Sequence, residues 1–256
     1  MADKNEVAVT FSDLLNDKLI SVENSLPKSF NRERFCQNAI AVLNEKPELQ
    51  KANRAQLLMG LVKGAMMNLD YSNREFYLIN YGSSVNFQFD YRGLQKIVKQ
   101  YSIRPIKEIR SEVVREGDKF QVSIVDNKQI INFEPKPFSD AEIVGIFAYV
   151  EYQDGSVVCE KMSVKEINDV RNNYSKQKGG NSWVKSWSEM GRKTVIRRLI
   201  KTIDVSFENA EARKIFDEES DSDFTIKKHS SDEVVDVFSK KEEPQIVIID
   251  DVEGSD

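Results

Sequence analysis

From Val85 to Tyr91 apolar and polar side chains alternate without a break: Val85, Phe87, Phe89 and Tyr91 against Asn86, Gln88 and Asp90. Successive side chains of a strand point to opposite faces, so this segment packs one side and offers the other to solvent or a ligand. Residues 75–81 supply a second strand, and Gly82, Ser83 and Ser84 join the two as a hairpin. The flanking segments have the helical period instead. Behind the N-cap Asn31, Phe35, Ala39, Val42 and Leu43 recur at helical spacing, and Pro47 ends that helix. Over 54–68 the residues Leu57, Leu58, Leu61, Val62, Ala65 and Met66 form a continuous apolar stripe, and a short helix follows over 91–101. A chain that satisfies both periods is α+β, with N-terminal helices, an antiparallel, hairpin-rich sheet and C-terminal helices.

Further strands are expected at 106–114, 120–125, 129–133, 143–152 and 156–162, with turns at Gly117-Asp118, Asp126-Asn127 and Asp154-Gly155. Helical signals return at Ser163, which forms a capping box with Glu166, and that helix reaches about Asn173. Residues 174–182 read as loop, and one longer helix is expected over 183–203. The chain thus divides into a loosely held arm over 1–30 with one helix around 11–20, a core over 31–208, and a tail over 209–256. Acids, serines and the absence of periodicity predict disorder in the tail, because too little apolar surface is available to offset the ordering entropy. The exception is the apolar cluster Ile246, Val247, Ile248 and Ile249.

Several function classes are excluded. His229, the one histidine of the chain, lies in the acidic tail, so neither a Ser-His-Asp triad nor a histidine metal site can form within the core. No G-x-x-x-x-G-K-[ST] motif is present, which removes the P-loop ATPases. Neither a catalytic centre, a metal nor a cofactor is implied. Cys36 and Cys159 lie far apart in apolar segments and read as small buried hydrophobes in a reducing compartment rather than as a disulfide framework. No segment is long and apolar enough to span a bilayer and the N-terminus has no secretory pattern, so a cytoplasmic location away from membranes is expected.

The net charge of −5 averages two regions of opposite sign. Residues 204–256 hold 17 Asp/Glu against 6 Lys/Arg, a net of −11, and residues 161–201 hold 11 Lys/Arg against 3 acids, a net of +8. In the last core helix Val195, Ile196, Leu199, Ile200 and Ile203 share one sector, while Lys193, Arg197 and Lys201 form an i, i+4, i+8 row on the other side, beside Arg198. Members of that row stand roughly 6 Å apart along the axis, a ladder suited to successive phosphates. Solvated helix faces normally interleave Glu with Lys, and no acid occurs between Arg192 and Ile203. Upstream, Lys176, Lys178 and Lys185 surround Trp183 and Trp187, whose indoles are suited equally to stacking on bases and to packing in the core. A second basic group, Arg92, Lys96, Lys99, Arg104 and Lys107, follows the hairpin and is a candidate opposing wall of a groove.

At these residues the sequence resembles a known family. Residues 68–82 (NLDYSNREFYLINYG), 87–94 (FQFDYRGL), Gly117-Asp118 and 187–201 (WSEMGRKTVIRRLIK) are similar, in consistent order over about 30–207, to the RecT single-strand annealing proteins of phages and prophages. Where relatives often have Leu-Asp-Pro and a proline after the hairpin isoleucine, this chain has Tyr71 and Asn80, both at turns. The resemblance implies annealing of complementary single-stranded DNA without ATP, through an annealed duplex intermediate, in phage-type homologous recombination. It also implies a basic DNA groove between sheet and helices, self-association into rings or helical filaments, and a C-terminal region that contacts a host single-strand binding protein or a companion exonuclease.

On that reading Lys193, Arg197, Arg198 and Lys201, with Arg192, Lys185, Lys178 and Arg171, hold phosphates while base edges stay open to a second strand, and pairing itself supplies sequence selectivity. A metal-dependent nuclease of the same pathway and a phage assembly protein are the alternatives. The tail has two: a partner contact through Ile246 to Ile249, or a polyanion that occupies the basic groove.

Overall fold

The computed structural model describes residues 10–81, 84–175 and 178–220; His229, Lys176 and the cluster from Ile246 to Ile249 lie outside them. The first helix, α1 (Phe11–Ser21), opens with a reciprocal cap in which the Asp13 amide donates to the Thr10 hydroxyl and the Thr10 amide donates to the Asp13 carboxylate at 3.0 Å. Leu15 and Leu19, one turn apart, are fully buried. From Phe11 onward the expected loose arm is therefore part of the core, because this four-residue spacing puts both leucines on one face. That face meets α2 (Arg32–Asn44) and, beyond the short α3 (Pro47–Gln50), α4 (Arg54–Met66). Asn31 caps α2 as expected, accepting from the Arg34 amide at 2.9 Å. Pro47 does not end that helix, which stops at Asn44; it opens α3 at the first helical position, where a missing N–H costs nothing.

The alternating segment forms the predicted hairpin, β1 (Phe76–Tyr81) and β2 (Ser84–Phe89), with Phe76 opposite Phe89. Phe76, Leu78, Phe87 and Phe89 are buried on its inner face against α4. The Asp90 carboxylate then caps α5 (Tyr91–Tyr101). Next come β3 (Ile106–Arg115), β4 (Lys119–Val125), β5 (Lys128–Glu134), β6 (Ile143–Tyr152) and β7 (Val157–Ser163), close to the expected boundaries. Strands β3, β6 and β7 form an antiparallel sheet in that order, and β4–β5 is a separate hairpin. Asp126 and Asn127 at its tip have φ of 49° and 61°, the left-handed pair that lets a two-residue turn follow the strand twist.

Strand β6 divides the sheet's two faces. Ile146, Ala148 and Val150 point into the main core, whereas Phe147 packs on the other face against Phe120 and Phe133, at centroid separations of 4.6 and 5.1 Å. The chain continues as α6 (Val164–Tyr174), with the predicted Ser163–Glu166 capping box, then α7 (Asn181–Lys185), α8 (Trp187–Ile200) and α9 (Ala210–Ser220). Two expectations are corrected here. The helix over 183–203 is broken at Ser186, and its two tryptophans each reach a separate partner near α6, Ser175 for Trp183 and Asn168 for Trp187. Order does not end at Asn209 either. Ala212, Ile215, Phe216 and Glu219, at i, i+3, i+4 and i+7, form the buried stripe of α9, which packs on α4 and β2. No helix among the described residues is long and apolar enough to cross a membrane.

Candidate nucleic-acid interface

Helix α8 lies on the sheet through its apolar sector, in which Val195, Ile196, Leu199 and Ile200 are buried. Its close approach requires Gly191, where a Cβ would stand 2.5 Å from the Ile146 Cδ1. The opposite row turns toward α5. Lys193 Nζ sits 5.3 Å from the centroid of the Tyr91 ring, the Arg197 guanidinium donates to the Phe89 carbonyl, and Lys201 is exposed at the helix end. Beyond that end Val205 bridges to Ser102 and the Ser206 amide donates to the Tyr101 carbonyl, so α5 and α8 run side by side in the same direction.

The outer face of helix α5 presents Arg92, Gln95, Lys96, Lys99 and Gln100, which line a shallow, open depression of about 460 Å³. The Arg92 guanidinium is 5.7 Å from the Tyr91 centroid. Two cations distant in the sequence, Arg92 and Lys193, therefore converge on one aromatic ring. The ring's negative face and the exposure of Arg92 make this a positive, partly aromatic surface. Lys96 donates to the Glu75 carboxylate at 2.7 Å, which anchors it to the turn before β1 while leaving it on that face of α5. Lys99 is exposed one turn further on. Gly93 makes this possible: a Cβ there would collide with the Glu75 carbonyl, so the first turn of α5 can lie directly on the chain entering β1.

The other predicted residues are placed elsewhere. Arg104 and Lys107 lie past the far end of α5 and brace the turn between β6 and β7. The Arg104 guanidinium stands 3.9 Å over the Tyr152 ring and 3.0 Å from the Asp154 carboxylate, and Lys107 pairs with Glu151 at 2.8 Å. Hydrogen bonds from Ser156, reinforced by Arg104, hold the Asp154 carboxyl down at about 2. Arg192 donates to the Ser111 carbonyl and lies 3.4 Å from Glu112 and 3.7 Å from Glu189; Arg198 lies 3.4 Å from Glu160. These two arginines tie α8 to β3 and β7. Glu189, one turn upstream on α8, faces Arg192, and the strands beneath supply the acids that a helix-only reading omits, Glu112 and Glu160.

Arg171 donates to the Lys178 carbonyl at 2.7 Å and lies 5.6 Å from the Trp183 ring, so it pins the loop after α6. Trp183 is 6% exposed and donates to the Ser175 hydroxyl at 3.3 Å. Its indole packs in the core, one of the two roles that its sequence context left open. Trp187, partly buried, donates to Asn168 at 2.9 Å. Lys178 and Lys185 are exposed near this loop. Sequence reasoning passed over Tyr91, although it ends the alternating run and precedes Arg92. Among the described residues no three His, Cys, Asp or Glu side chains gather in a way that would hold a metal ion. Burial pushes the Cys159 thiol up to about 11, far from a nucleophile's range at neutral pH.

A family model described as the RecT family matches residues 33–233. The chain belongs to the RecT family. Protein RecT of Escherichia coli (strain K12) is 29% identical to it over 196 residues, which cover 72% of this chain and 71% of that protein. The span that carries the RecT match starts in α2 and contains α5, Tyr91 and all of α8.

Proposed function

We propose that this RecT-family protein binds single-stranded DNA along the surface shared by α5 and α8 and anneals it to its complement in phage-type recombination, without ATP hydrolysis. The convergence of Arg92 and Lys193 on Tyr91 carries this reading, because it joins into one surface two basic groups that are separate in the sequence. Phosphates are held by Arg92, Lys193, Lys99 and Lys201, with Lys178 and Lys185 as a flanking group and Lys96 and Arg197 fixing the geometry. Bases are left with their pairing edges outward. Annealing is downhill once strands are concentrated, extended and aligned, so charge and shape suffice and no bond in the DNA need be broken. Self-association into rings or filaments accompanies this reading. Ile124, Val125 and Ile130, exposed on the β4–β5 hairpin, are apolar surface of the kind that subunit contacts cover.

The test is strand annealing of labelled oligonucleotides without nucleotide, with products separated on native and denaturing gels. The Arg92→Ala, Lys193→Ala double variant is expected to lose at least about tenfold in affinity at moderate salt. Lys107→Ala is expected to anneal like the parent. A double variant with unchanged annealing across a salt series refutes the assignment, and shortened strands on the denaturing gel would indicate a nuclease instead.

A further inference from the structure

Residues 221–256 carry 11 Asp/Glu and 4 Lys/Arg, a net of −7. They follow directly on α9, which is fastened to the core rather than trailing from it. Ala212, Ile215 and Phe216 are buried, and Glu219, 5% exposed, pairs with Lys63 Nζ at 3.3 Å. A line of contacts runs from that ion pair to the candidate interface. Lys63 Nζ lies 6.0 Å from the Phe87 centroid, the Phe87 ring lies 5.1 Å from that of Phe89, and the Phe89 carbonyl accepts from Arg197. This acidic segment thus leaves the core from a helix that packs on β2, the strand that passes into α5. Random-coil scaling over 36 residues gives a root-mean-square span of roughly 30–36 Å, about twice the length of α5.

We propose that residues 221–256 are an intramolecular ligand of the Arg92–Tyr91–Lys193 surface, a polyanion that occupies it until a DNA strand displaces it. Charge complementarity and tethering act together here, because a short tether sets an effective concentration in the millimolar range. Single-stranded DNA has the advantage of one evenly spaced charge per nucleotide, whereas the tail's 11 acids are interrupted by basic pairs at Lys227-Lys228 and Lys240-Lys241. The consequence is a length filter. Short strands, which offer few phosphates, compete poorly with the tail, and long strands displace it. The identity of the competitor rests on the proposed function, but the contact between tail and surface does not.

The experiment uses the full chain and a full-length variant carrying Glu242→Gln, Glu243→Gln, Asp250→Asn, Asp251→Asn and Glu253→Gln. Affinity for a short and a long oligonucleotide is measured at low and high salt. In parallel, without DNA, a carbodiimide is used to couple Lys193 to tail carboxylates, with the site mapped by mass spectrometry. The variant is expected to bind the short oligonucleotide about tenfold more tightly at roughly 50 mM salt, with the gap closing by roughly 200 mM. The parent is expected to give a Lys193–tail cross-link. Equal affinities together with no cross-link overturn the proposal. A cross-link in a protein that binds neither oligonucleotide supports the tail contact while refuting the DNA-binding reading.

Discussion

Gly93 and Glu75 touch backbone to backbone: the Glu75 carbonyl occupies the place a Cβ on residue 93 would need, and the same carbonyl accepts from the Asp90 amide at 3.0 Å. This contact sets the position of α5 and, with it, the side chains of Arg92 and Lys96. Alanine ordinarily favours a helix interior over glycine by about 1 kcal/mol. At position 93 that gain is outweighed by the clash with main chain, which cannot rotate away as a side chain would. Gly93→Ala is expected to be destabilised by about 1–3 kcal/mol in urea titration and to bind oligonucleotides more weakly. An unchanged or raised midpoint would show that α5 has room to shift.

Arg192 and Lys193 are neighbours in the sequence with different surroundings in the fold. Arg192→Ala removes the donor to the Ser111 carbonyl and the partner of Glu112, so a stability loss of about 1–2 kcal/mol is expected, with the salt dependence of DNA binding preserved. Lys193→Ala is expected to leave the unfolding midpoint nearly unchanged and to lower the slope of log affinity against log salt by about 0.7. Measuring both quantities on both variants separates structural from ligand-facing cations; the reverse pattern would exchange their roles.

The two tryptophans offer a spectroscopic check. In a Trp187→Phe variant Trp183 is the remaining indole, and it is buried. Its emission is expected to stay constant as oligonucleotide is added, because no base reaches the ring. Strong quenching would return Trp183 to the interface. Trp183→Ala is expected to cost about 3–5 kcal/mol of stability, as for other large core truncations.

Truncation distinguishes α9 from the segment that follows it. A chain ending at Asn209 exposes the α4 and β2 surface that Ile215 and Phe216 cover, and is expected to melt at a clearly lower temperature than a chain ending at Ser220. Phe216→Ala in the full chain is expected to lose about 3 kcal/mol or more. Coincident melting curves for the two truncations would mean that α9 adds nothing to the fold.

What the sequence made legible was whatever is encoded locally. The period-2 run from Val85, the Ser163–Glu166 cap and the Asp126-Asn127 turn each need only their own neighbours, and all three hold in the structure. Contacts made across the fold were hidden. Glu112 and Glu160, the partners that tie Arg192 and Arg198 to the sheet, come from β3 and β7, so a helical projection showed these cations without their cross-fold acids. The stripe of α9 has ordinary helical spacing, but its acidic composition outweighed four apolar or buried positions. Trp183 stood beside lysines in sequence and beside Ser175 and Arg171 in space. The meeting of Arg92 with Lys193 depends on how α5 lies along α8, which neither segment specifies alone.

The β4–β5 hairpin grips the sheet through Phe120, Phe133 and Phe147 on the face turned away from α8, and its tip at Asp126-Asn127 points clear of that grip. A fluorophore or a peptide epitope grafted at the tip would report on what the hairpin touches while leaving α5 and α8 undisturbed. A finger lengthened or shortened at this tip is expected to keep the aromatic grip and to leave the α5–α8 surface as it is.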